Sequence, residues 1–195
     1  LGIEAESGGS ITIKSGTVNV TKATYGVQVT EGSSFAMQGG TLSIRGADAA
    51  SCLGINNNGT VTVTGGSLKT ENVYTALQNG SATALSVTGG EHTLTAATCG
   101  YLGASSSELK ISNTAKVTVN AETGIRLSKQ SDSKLTVSGG ELNINATASG
   151  VELVDSISTM TLSGGKVNIT DKNSTPTITG MFCLSLIHIS EPTRQ

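Results

Sequence analysis

The sequence predicts an all-β fold: a right-handed parallel β-helix (a β-solenoid) of about seven rungs of about 25 residues each. Three observations predict it. One pattern recurs, apolar–x–apolar–x–Gly–Gly–x–apolar–x–apolar, clearest over 135–144 (Leu-Thr-Val-Ser-Gly-Gly-Glu-Leu-Asn-Ile) and 160–169 (Met-Thr-Leu-Ser-Gly-Gly-Lys-Val-Asn-Ile). The copies are evenly spaced. The second residue of the pair falls at Gly16, Gly40, Gly66, Gly90, Ala115, Gly140 and Gly165, at intervals of 24, 26, 24, 25, 25 and 25. The composition suits a thin repetitive core: 25 Gly, 2 Pro, 3% aromatic and 13% charged among 195 residues. A compact globule of that length needs more large apolar side chains, whereas a solenoid buries only a thin layer per rung.

Each rung carries three strand signals. The first precedes the Gly pair: Ile11/Ile13, Phe35/Met37, Val61/Val63, Leu85/Val87, Leu109/Ile111, Leu135/Val137 and Met160/Leu162. The second follows it: Val18/Val20, Leu42/Ile44, Leu68/Thr70, His92/Leu94, Val117/Val119, Leu142/Ile144 and Val167/Ile169. The third is looser: Val27/Val29, Leu53/Ile55, Ala76 or Leu77, Tyr101 or Leu102, Ile125/Leu127, Val151/Leu153 and Ile178. Alternation puts these on one face and Thr, Ser, Asn and Lys on the other. The Gly pair marks a sharp bend that requires positive φ. The rung without it reads Ser112-Asn113-Thr114-Ala115, where the Asn serves the same bend. The run Asn56 to Gly59 reads as a polar linker to the next rung.

Stacking pairs every strand with its equivalent one period away, in parallel, at about 4.8 Å. Right-handed crossover is the expected hand. Residues 1–183 are expected to be a single solenoid fragment, truncated at both ends, because Gly2 to Ala5 reads as the third strand of a lost rung. Its uncapped rungs would favour end-to-end contacts. Residues 184–195 break the repeat abruptly. They resemble a translated transposase-type sequencing adaptor and are expected to be an artefactual tail.

The balance of charge narrows the partners. A net charge of −2 argues against nucleic acid, which wants a basic stripe. No apolar run is long enough for a membrane span. No ligand spacing for a metal and no cofactor motif is present, and no catalytic constellation stands out. The residue after the Gly pair reads Glu91, Lys116, Glu141 and Lys166 on four consecutive rungs. These should form an outward column of alternating sign, a surface charge ladder. Read as a catalytic groove, Glu91 and Glu141 would sit two rungs apart, about 9.6 Å, with a lysine between them. Read as a ladder, each exposed pair contributes at most about 1 kcal/mol and fixes register. Tyr25, Tyr74 and Tyr101 cluster near the turn before the third strand. They are candidate aromatic contacts for sugar rings, weighed against rim packing. His92 is a lone inward histidine, read as a hydrogen-bonded filler. Cys52 and Cys99, two rungs apart, are too distant for a disulfide and read as buried free thiols.

The rung 134–145 followed by Ser149-Gly150-Val151-Glu152-Leu153 resembles the carbohydrate-binding-domain β-helix proteins of bacterial surfaces. More broadly it is similar to Thr/Gly-rich repeat adhesins. The resemblance implies a non-catalytic, extracellular or cell-surface β-solenoid, stalk- or adhesin-like, that contacts polysaccharide or a host or cell-surface glycan. Members often carry Asp before the Gly of the third strand, where it helps hold calcium and acidic sugars. Here those positions read Tyr25, Cys99, Thr123 and Ser149, so that chemistry is not carried over. The alternative is a fragment of a pectate-lyase-like polysaccharide lyase or glycosidase with its active site outside this segment. Fold alone does not carry that activity. A spacer with no ligand is a third reading.

Overall fold

The computed structural model describes residues 1–80, 83–104, 106–128, 132–154, 157–172 and 179–183. Every regular element among them is a strand. The strands group into seven levels. Level 1 holds Ser10–Ile13, Thr17–Ala23 and Tyr25–Val29; level 2 holds Ser34–Met37, Thr41–Gly46 and Leu53–Asn57. Level 3 holds Thr60–Val63, Ser67–Glu71 and Thr75–Asn79; level 4 holds Ala84–Val87, Glu91–Thr95 and Cys99–Gly103. Level 5 holds Glu108–Ile111 and the merged strand Lys116–Leu127. Level 6 is the continuous strand Lys134–Leu153, and level 7 holds Thr159–Asp171 and Thr179–Cys183. Ile3–Ala5 pairs beneath the third strand of level 1, as the sequence implies.

All pairing is parallel and one level apart, which makes the chain a parallel β-helix with three faces. The expected strand position at Ile178 and the tail 184–195 lie outside the described residues. No helix among the described residues is long and apolar enough to cross a membrane.

The bend between first and second strands follows its residues. Gly140 has φ of 73°, and a Cβ there would overlap the carbonyl of Ala115 on the level below. In the rung without the glycine pair, Asn113 takes the left-handed conformation at φ 55°.

The core is one continuous stack of buried aliphatic side chains. On the third strands, two consecutive residues turn inward. Gly26 and Val27 are both buried, as are Gly124 and Ile125. A Cβ on Gly26 would strike Ile44 Cγ2 and lie 2.6 Å from Gly54 O; one on Gly124 would strike Ile144 Cγ2 and lie 2.5 Å from Gly150 O. Gly2 meets Val20, Gly54 meets Thr70 and Gly100 meets Val119 in the same way. Each glycine thus accommodates a β-branched side chain from the second strand of the next level. Ala76 breaks the rule. The register sets it below Leu94, the column member without a branch at Cβ.

Three sequence readings of the third strands need correction. Asn57 is not linker: it closes the strand Leu53–Asn57, fully buried, and pairs with Asn79 in register. Asn57 Nδ2 donates to Asn79 Oδ1 at 3.0 Å, and Asn79 Nδ2 donates to Glu108 O at 3.1 Å. Such a pair is stable inside only because its amide groups find partners. The inward pair of level 2 is therefore Ile55 and Asn57, and Leu53 turns to the half-buried outer side. Tyr101 is a core residue, 1% exposed, and does not belong to an aromatic strip. Gly103 makes its room, since a Cβ there would lie 3.1 Å from Tyr101 Cε1. Burial pushes the Tyr101 phenol pKa up.

His92 replaces an aliphatic residue in the second-strand column and is 2% exposed. The Leu68 N–H donates to His92 Nδ1 at 3.1 Å. That bond assigns the proton to Nε2, which donates to Gly89 O at 2.8 Å. The ring bridges levels 3 and 4 where the regular ladder begins only at Lys69 and Thr93. Burial lowers its pKa below 6.5, against the Gly89 hydrogen bond and Glu91, which raise it. The unfolded chain takes up a proton near 6.5 and the folded chain only at lower pH. The stability His92 contributes is therefore complete above pH 6.5 and lost as pH falls through the folded value. His92→Leu is expected to flatten the pH dependence of urea unfolding in that window. An unchanged slope would show that the ring does not titrate in the fold.

Candidate functional site

The outer side of the second strands carries the predicted charge column. Glu91 pairs with Lys116, Lys116 with Glu141, and Glu141 with Lys166. Lys116 therefore stands between the two carboxylates. Lys166 Nζ lies 3.9 Å from Glu141 Oε1, and Asn168 Nδ2 donates to the same oxygen at 3.1 Å. Parts of the neighbouring columns on this face are closed among themselves. Asn145 Nδ2 donates to Asn120 Oδ1 at 3.0 Å, Asn168 Nδ2 to Asn143 Oδ1 at 2.6 Å, and Arg45 pairs with Glu71 at 3.0 Å. An open groove of about 380 Å³, lined by Ser43, Lys69, Thr70, Glu71, Thr93 and Thr95, crosses levels 2 to 4.

The outer side of the third strands is built differently. Its central column reads Glu4, Gln28, Asn56, Gln78, Leu102, Arg126 and Glu152, in register throughout. At one end Arg126 Nε donates to Glu152 Oε2 at 2.6 Å. Burial raises the Glu152 carboxyl, but the Arg126, Ser149 and Thr123 contacts outweigh it and hold the group below the ordinary carboxylate value. In the middle, the side-chain amides of Gln28, Asn56 and Gln78 are half-buried and hold no hydrogen bond to any described residue.

The three tyrosines separate. Tyr25 is half-buried at the start of the level 1 strand, Tyr74 is 41% exposed just before the level 3 strand, and Tyr101 is in the core. Thr75, next to Tyr74, keeps a buried Oγ1 without a partner. The amide column was missed by reading only apolar positions, although each member directly follows one, Val27, Ile55 and Leu77.

Cys52 and Cys99 are free and buried. Burial pushes the Cys99 thiol up to about 12, which leaves it protonated and unreactive at neutral pH. Among the described residues, no three His, Cys, Asp or Glu side chains gather as a metal site would need. The arrangement offers extended, regular polar surfaces with hydrogen-bonding side chains at rung spacing.

A family model described as "Carbohydrate-binding domain-containing protein" matches residues 2–175. No curated protein and no solved structure matches the chain.

Proposed function

This chain belongs to the carbohydrate-binding domain-containing protein family, and on that premise we propose that it is a non-catalytic module that holds polysaccharide against an outer face of its solenoid. The observation that carries the reading is the family match, which spans the first six levels and the strand Thr159–Asp171 of the seventh. The geometry supports it: flat faces of polar side chains at about 4.8 Å intervals favour many weak contacts over a deep pocket. The charge ladder is read as a register device. An acid–base pair drawn from Glu91 and Glu141 would have Lys116 in the substrate's place. We place the module at the bacterial cell surface or in the secreted fraction, as a stalk- or adhesin-like segment.

The purified chain is expected to be retained on a polysaccharide panel and to release no reducing ends on long incubation. Retention on nothing in the panel would remove the binding reading. Product release abolished by Glu141→Gln would instead favour the lyase or glycosidase alternative.

A further inference from the structure

We infer that the glycan contact lies on the outer side of the third strands at levels 1 to 3, and that it takes an uncharged, extended glycan running along the solenoid axis. The inference rests on the carbohydrate-binding reading above and adds a place and a ligand class. It starts from the contrast between faces. On the second strands of levels 5 to 7, the amides are engaged within the fold: Asn145 bonds Asn120, and Asn168 bonds Asn143 and Glu141. On the third strands, Gln28, Asn56 and Gln78 line up in register and spend none of their hydrogen-bonding capacity within the described chain.

An amide donates and accepts, and so does a sugar hydroxyl. Successive rungs rise by about 4.8 Å, close to the length of one pyranose in an extended chain. A glycan along the axis therefore meets one amide per sugar. The amides sit on strands already fixed by pairing, so binding orders side chains and not backbone. The column also selects by charge. From Gln28 to Leu102 it is neutral, and its cation, Arg126, is held by Glu152 at 2.6 Å. A carboxylated glycan finds no unpaired cation in it. Tyr25 and Tyr74 precede Gln28 and Gln78 by three and four residues, about 10 to 13 Å along the strand. Tyr74 is exposed and Tyr25 half-buried, and each can cover the apolar side of a sugar ring beside the column.

The test is affinity electrophoresis of the whole chain through gels containing hydroxyethylcellulose, galactomannan or polygalacturonate. Retardation by an uncharged polymer and not by polygalacturonate is expected. Gln28→Ala/Asn56→Ala/Gln78→Ala should weaken it about tenfold, as the loss of three modest hydrogen bonds implies. Gln78→Glu alone, which puts a carboxylate among the amides, should also weaken it with unchanged melting. Asn143→Ala/Asn168→Ala on the second strands should bind as the parent does. Uncharged-polymer binding that survives both third-strand variants would overturn the inference, and so would retention by polygalacturonate alone; both would leave the carbohydrate-binding reading standing. Retention by none of the three would overturn both.

Discussion

Gly124→Val is expected to destabilise the solenoid by about 3 kcal/mol or more, and Gly124→Ala by about 2, in urea unfolding. A Cβ at this position strikes Ile144 Cγ2 and lies 2.5 Å from the Gly150 carbonyl. Neither neighbour can yield easily. Ile144 is fully buried in the core stack, and the carbonyl belongs to the paired strand of the next level. The natural exception supplies the control. Ala76 is tolerated where the register sets Leu94 above it, and leucine carries no branch at Cβ. Gly124→Ala combined with Ile144→Leu should therefore recover part of the loss. A Gly124→Ala protein as stable as the parent would show that the column has slack, and the size-matching account would be wrong.

Asn79→Leu is expected to cost about 2 to 3 kcal/mol despite its similar volume. The substitution strips the buried Asn57 Nδ2 of its acceptor at 3.0 Å and the Glu108 carbonyl of its donor at 3.1 Å. Asn57 loses less, because its Nδ2 also reaches Ala84 O at 3.3 Å and its Oδ1 accepts from the Gly59 N–H at 3.0 Å. Replacing both amides removes donor and acceptor together. The double variant with Asn57→Leu should cost clearly less than the sum of the singles. Strict additivity of the two would mean that the side chains do not act as a pair.

The beat of the Gly pairs made the levels and the Glu91–Lys116–Glu141–Lys166 register readable in advance, because parallel stacking turns sequence distance directly into spatial adjacency. The third strands resisted the same treatment for local reasons. Consecutive inward residues such as Gly26 and Val27 break the period of two on which strand reading depends. The six residues from Ala47 to Cys52 between second and third strands of level 2 displaced the register, so Leu53 looked like a core position. Asn57 looked like loop because asparagine is common there, and only the pairing shows it filling an inward column with Asn79. Tyr101 reads both as an inward third-strand residue and as a sugar contact, because the room that Gly103 leaves for it is a property of packing. The difference between the closed asparagine columns and the open Gln28–Asn56–Gln78 column depends on side-chain geometry that no spacing encodes.

The offset between each third-strand glycine and its β-branched partner bears on how such a chain grows and shrinks by rearrangement of its gene. The partners belong to different levels, Gly26 with Ile44 and Gly124 with Ile144, so each joint is shared between adjacent repeats. A repeat copied or deleted at a glycine joint meets a matching neighbour, since Val20, Ile44, Thr70, Val119 and Ile144 all fit beside glycine. Deleting level 4 is different: it would bring Ala76 beneath Val119, two side chains crowded at Cβ where one fits. Level 3 thereby requires level 4 above it, while the other joints leave the number of rungs free to drift.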